Sequence, residues 1–402
     1  MKTSILSRTG LFFASFVLFT AGCSTLGLDG ATSHRELVLE PRLVRETAKE
    51  SFLGYRRLNR MSPLLTDRYV IQGNAVDGLT VYRRDTGKRV WKLEIENGVE
   101  GGVELSGETL YFGGGDGLLR AVNLADGKVL WTTSTRAELL APPTLENSNL
   151  YVQTGADVIY GLEAATGKLL WTYNRQVTGN LSVRSSSRPV IAGDNLLVGF
   201  SDGYVVSLRK RDGVLQWERK LGRGNRFRDV DTTAVVDGDK TYVASFDGTL
   251  ACIKIATGDL LWQADLSGYL PVTLGTGGYS DRLYFSTVDG RVVELDRSTG
   301  KETRSVRLKA GIATQPVQSQ NLLIFAESEG AVRVLDLERL NTIAQYQTGI
   351  GVLSTPTYDK KQSELWFVSS TAHLYGMKMT FRRFAERYPW KQMTSELESE
   401  SF

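Results

Sequence analysis

DGLLRAVNLADGKVLW, residues Asp116 to Trp131, decides the fold because the chain keeps repeating it. The same frame returns as DGLTVYRRDTGKRVW (Asp77–Trp91), DVIYGLEAATGKLLW (Asp157–Trp171), DGYVVSLRKRDGVLQW (Asp202–Trp217) and DGTLACIKIATGDLLW (Asp247–Trp262). Three worn copies start at Asp289, Glu329 and Thr371. The well-formed copies are spaced 39 to 45 residues apart. A unit of that size cannot bury its own apolar face, so eight of them must pack on one another.

Within a unit, Leu118–Leu124 alternates apolar and other residues at period two, as a half-buried strand does. The D-G before it and the G-K after it are hairpin chemistry, with glycine supplying positive φ. A further run such as LYFGG (Leu110–Gly114) or LLVGF (Leu196–Phe200) precedes the D-G. Another, as in APPTLE (Ala141–Glu146), SRPVIA (Ser187–Ala192) or TQPVQS (Thr314–Ser319), opens the unit. Four short antiparallel strands per unit predict an all-β, eight-bladed β-propeller. A helical solenoid is excluded, since no 3.6-residue periodicity is sustained.

A tryptophan stands four residues after the turn glycine at Trp91, Trp131, Trp171, Trp217 and Trp262, where it reads as a wedge between neighbouring blades. Arg304 holds that position in the sixth unit and the last two units lack a tryptophan there, so those junctions are expected to pack differently. The run near Leu64–Gln72 is expected to complete the blade formed by the C-terminal strands.

The 402 residues are nearly all used by eight blades, which leaves no room for a second large domain. A net charge of +3, with no Lys/Arg run interleaved with aromatics, gives no reason to expect nucleic acid. Residues 1–22 read as a secretory signal, with Lys2 and Arg8 as the basic region and Leu11–Phe19 too short to span a bilayer. They end in T-A-G-C (Thr20–Cys23), which resembles the lipobox of bacterial lipoproteins, although Thr20 stands where leucine is usual. That resemblance implies a lipidated Cys23 at the mature N-terminus, and Ser24 after it implies delivery to the outer membrane. Ordinary signal cleavage with a free cysteine is the alternative.

Residues 23–54 are expected to be a lipid-anchored tether, running into a helical stretch in ELVLEPRLVRETAKESF (Glu36–Phe52). The propeller is expected over 55–380 and a C-terminal tail over 381–402. Cys252, inside a strand of the fifth unit, reads as a small core hydrophobe.

With lipobox, eight units and T-G-K-x-x-W turns together, the chain resembles the BamB family, the lipoprotein propeller subunits of the machinery that inserts β-barrel proteins into the outer membrane. The resemblance covers residues 55–380. Quinoprotein dehydrogenases share the repeat, but two segments sharpen the match: NLSVRSSSRP (Asn180–Pro189) and RDVDTTAVV (Arg228–Val236). In that family these segments contact the central barrel subunit. The resemblance therefore implies partner contacts at Leu181, Val183, Arg184, Asp229 and Asp231, with Val183 standing where the family has leucine. Independently of the resemblance, Arg184 and Asp229 each lie five residues before the same point of successive units, Pro189 and Ala234. They therefore belong to equivalent connections of adjacent blades. Arg184 pairing internally with Asp229 or Asp231, and the two apolar residues tucking under the loop, is the other way to read the same residues.

The resemblance points to a non-enzymatic scaffold of the outer-membrane protein assembly complex, with the central barrel subunit and unfolded outer-membrane chains as partners and no cofactor. The first competing reading is a quinone-cofactor dehydrogenase, but the chain has no adjacent cysteines and no dense Asp/Glu/Asn cluster suited to calcium. Its only histidines are His34 in the tether and His373 in a worn turn. No G-x-S-x-G, H-E-x-x-H, P-loop or C-x-x-C motif occurs. A propeller lipoprotein serving another envelope partner is the second competitor.

Overall fold

The computed structural model describes residues 33–48, 59–175, 187–222 and 229–385. Residues Leu37–Thr380 form one compact unit of eight four-stranded antiparallel sheets. In blades 1 to 7 the strands are hydrogen-bonded in chain order. Blade 3, for example, runs Thr144–Glu146, Asn149–Gln153, Val158–Glu163 and Leu169–Asn174. A second small unit holds the residues before Leu37 and after Thr380, of which the structure describes only the strand ends 33–36 and 381–385.

Burial across a blade follows from its position between two neighbours. The second strand is covered on both faces, so Leu150, Tyr151 and Val152 are all buried. The fourth strand alternates exposed and half-buried residues, as an outer edge does. First strands of adjacent blades approach one another, and Thr144, Thr273 and Thr357 each donate a hydroxyl hydrogen bond to the chain entering the next blade, at Pro189, Pro316 and Pro63. The first strands therefore ring the centre and the fourth strands form the rim.

The wedge expectation holds at the five junctions that carry tryptophan. Each indole N–H donates to a backbone carbonyl of the next blade, at Leu124, Ala164, Lys210, Ile255 and Arg297, over 2.7–3.3 Å. Each acceptor lies three residues before a turn glycine, and that glycine lies against the ring. A Cβ at Gly127, Gly167, Gly213, Gly258 or Gly300 would come within 2.4–2.7 Å of the indole. These glycines have φ of 70–75°, so both space and backbone conformation exclude other residues.

Elsewhere the same position is filled by other chemistry. Arg304 donates to Leu337 O at 2.9 Å, repeating the indole's hydrogen bond, while it also pairs with the buried Glu294. Burial raises the Glu294 pKa, but hydrogen bonds from Arg304, Thr303 and Arg282 outweigh it and hold the carboxylate below its ordinary value. Ala344 takes the position in blade 7, and Leu37, Leu39 and Met379 join it in one apolar cluster.

Two expectations about the chain's start are corrected. Ser33–Glu46, expected as tether and helix, is a β-strand, and it forms the outermost strand of blade 8 beside His373–Ala385, Glu364–Val368 and Thr357–Asp359. Leu64–Gln72 does not close the ring; Leu64–Leu65 and Tyr69–Asn74 are the first two strands of blade 1. The physical reason is that Leu37 and Leu39 bury one face of an extended segment, and Leu43 then lies against Gly87 as tryptophan does at the other junctions. Arg84 completes the closure from blade 1, with its guanidinium on Asp359 (2.6 Å) and Glu364 (2.7 Å) of blade 8.

Cys252 is buried beneath Trp262, as expected of a core residue, and burial pushes its thiol up to about 11.

Candidate docking face

At one end of every blade lie the D-G turns and the connections to the next blade; at the other end lie the glycine turns that receive the wedges. Of the residues singled out from the sequence, Asp229 and Asp231 fall on the first of these ends, on the connection from blade 4 to blade 5. Leu181, Val183 and Arg184 lie outside the described residues, as do Cys23 and the tail beyond Ala385. The end of their segment is described. Ser187 Oγ donates to Thr232 O at 3.3 Å, and Arg188 N donates to Thr233 Oγ1 at 3.2 Å. The two connections are thus tied side by side, residue for equivalent residue.

Asp229 and Asp231 are both buried, at 1% and 8% exposure, so neither is a freely solvated loop charge. Asp229 fixes the next blade through its carbonyl, which accepts from Phe246 N at 2.9 Å. Asp231 lines a recess of about 170 Å³ together with Arg60, Glu100, Tyr269 and Thr233. Burial, reinforced by the charges of Asp229 and Asp157 and opposed by Arg60, pushes its carboxyl up to about 8.

Three residues at this end carry no mark in a reading of the repeat alone. Asp157 occupies the place of the D-G glycine rather than the aspartate, with φ of 58°, which aspartate tolerates. From there its carboxylate reaches across to Ser201 of blade 4, and burial raises its pKa. Arg175, at the end of the outer strand of blade 3, stacks over Tyr204 at 4.5 Å and pairs with Asp202 and Glu218. Arg60 precedes blade 1 yet faces Asp231 in the recess. The one available signal was the order Ala156-Asp157 in place of D-G. Among the described residues no group of three His, Cys, Asp or Glu side chains is arranged to hold a metal. His373 sits in its turn with Nδ1 against the carbonyl of Thr371.

This end of the ring is therefore a place where two adjacent connections, an enclosed acidic cluster and a stacked arginine meet. That arrangement can recognise a partner by shape and charge. A family model described as outer membrane protein assembly factor BamB matches residues 77–279 and 271–349, well over half of the chain.

The chain belongs to the BamB family.

The BamB protein of Escherichia coli, described as outer membrane protein assembly factor, is 31% identical over 308 residues, covering 71% of this chain and 76% of that one. The crystal structure of BamB from Moraxella catarrhalis aligns with a TM-score of 0.71 at 23% identity, over 85% of this chain and 99% of the other. A quinohemoprotein alcohol dehydrogenase from Pseudomonas putida aligns at 0.65 with 12% identity, over 88% of this chain and 78% of that one, a likeness of fold alone. Membership in the BamB family makes the chain an outer-membrane protein assembly factor, associated with the outer membrane.

Proposed function

We propose that this BamB-family chain is a non-catalytic scaffold, tethered to the outer membrane by lipid on Cys23, that docks the central barrel-assembly subunit and aids insertion of β-barrel proteins. The docking surface is the pair of connections carrying Leu181, Val183, Arg184, Asp229 and Asp231. The observation that carries the reading is the hydrogen-bonded alignment of those connections at Ser187–Thr232 and Arg188–Thr233, in a chain of this family. Leu181 and Val183 supply the apolar contact and Arg184 orients a partner acid. Asp231 offers its carboxyl to a polar group entering the recess beside Arg60, and Asp229 lies close enough to influence it.

Co-purification tests this directly. The double variant Leu181→Ala with Arg184→Ala is expected to lose the barrel subunit from detergent-solubilised outer membranes while remaining folded and membrane-bound. Retention of the partner by that variant would overturn the contact assignment. Capture of a different envelope component by the native chain would overturn the choice of partner.

A further inference from the structure

The outer strand of every blade from 1 to 7 contains a β-bulge one residue before the wedge position. In blade 2, for example, Ala121 pairs with Trp131 and Val122 with Val129, so Leu130 is the extra residue. Bulges of this kind spoil an edge for strand addition. They also turn the extra side chain outward. In consecutive blades the bulge and its neighbours present Leu130 (50% exposed), Leu170 (50%), Leu215 (42%) and Leu261 (46%). Single exposed leucines are ordinary, but three at the bulge itself, with Leu215 beside the bulge residue Gln216 in blade 4, form a row. Blade 1 carries Val90 at the bulge and blade 7 a half-buried Ile343. Glu302 and Thr303 take these positions in blade 6, and Pro41 and Arg42 take them in blade 8. Exposed lysines from the glycine turns, Lys128 and Lys168, stand beside the aliphatic pairs of blades 2 and 3, while Val214 and Asp259 hold the same place in blades 4 and 5.

We propose that this row on the lower rim of blades 2 to 5 rests on an anionic phospholipid surface, as the second of two membrane attachments. The proposal builds on the lipid-tether reading. The outer strand of blade 8 enters the ring at the glycine-turn end, since Leu43 sits at the wedge position and Thr47 hydrogen-bonds Ala372 as Thr135 does Gly117. The chain leading back to Cys23 therefore leaves from the same end that carries the leucine row. Nine residues separate Cys23 from the strand that starts at Ser33, a leash that reaches at most about 35 Å when fully extended. Blade 8 lies across an eight-membered ring from blade 4. A tether on one side and an aliphatic row on the other seat the same end against the bilayer. The end bearing Asp229 and the paired connections then faces away from the membrane.

The test uses the full lipidated protein in vesicles of phosphatidylethanolamine and phosphatidylglycerol whose acyl chains carry bromine. Flotation reads the tether, and quenching of tryptophan emission reads the row, because Trp131 and Trp171 adjoin it. Native protein is expected to float and to be quenched. The triple variant Leu130→Glu, Leu170→Glu and Leu261→Glu is expected to float and melt normally but to lose most of the quenching. Equal quenching in the variant, or none in floating native protein, overturns the row. Protein that does not float overturns the tether, and with it the two-point seat. A native dimer dissolved by the triple variant would make the row a contact between copies and overturn its assignment to lipid.

Discussion

Blades 1 to 5 and blades 6 to 8 solve the same packing problem with different chemistry. In the first group one indole does three things at each junction: it fills the gap, lies on a glycine that admits nothing larger, and satisfies a carbonyl of the next blade. In the second group those tasks are divided. Arg304 keeps the hydrogen bond and needs Glu294 beside it, Ala344 keeps neither and relies on Leu37 and Leu39, and Arg84 spans the closure to Asp359 and Glu364. The difference teaches that the conserved quantity along the ring is the filled junction, and that the residue filling it is replaceable only together with its surroundings.

The largest effect is expected where a buried guanidinium would be removed from between two half-buried carboxylates. Arg84→Met leaves Asp359 and Glu364 without their cation and should cost about 4 kcal/mol, read as a fall in the urea midpoint. If the closure were instead held mainly by the apolar contacts of the N-terminal strand, the midpoint would hardly move. Trp171→Ala should cost about 3 kcal/mol, through an unfilled junction and the lost hydrogen bond to Lys210 O. A loss at Trp171 far below that at Arg84 would mean that the wedged half tolerates gaps.

Arg304→Trp sharpens the comparison further. Alone it should destabilise by about 2 kcal/mol, because Glu294 keeps only Arg282 and Thr303. Combined with Glu294→Val it should recover most of that loss, turning the sixth junction into one of the wedged kind. Non-recovery in the double variant would show that the two groups differ in backbone as well as side chain.

The effect at Asp231 has the opposite sign and appears only above pH 4. Its folded pKa of about 8 lies above the ordinary carboxylate value of 3.8, so the folded state holds a proton that the unfolded chain releases. Stability is therefore lost as pH rises from about 4 to about 8. Asp231→Asn should raise the Tm at pH 8 and leave it unchanged near pH 4. A variant equally stabilised at both pH values would remove the charge explanation.

The repeat made the ring legible because wedge, turn glycine and strand alternation recur in register, and five tryptophans announce five junctions. The closing strand was hidden by its composition, since Glu, Leu and Arg favour helix. Two physical signals in it pointed the other way: Leu37, Leu39 and Leu43 recur at even spacing, and Pro41 would break a helix but is tolerated on an outer strand. The docking end was legible only as far as the two connections. Arg60 and Arg175 were not, because what they face is set by ring closure and by the neighbouring blade rather than by local pattern.

Closing the ring with the chain's beginning has a consequence for its birth. Ser33–Glu46 is made more than 300 residues before its partner His373–Ala385, so the strand waits through the synthesis of seven blades before it finds its place. A chain shortened before Val368 would have no sheet to receive it, and would carry an open gap with exposed edges on both sides. Completion of the circle thus works as a check that every blade is present.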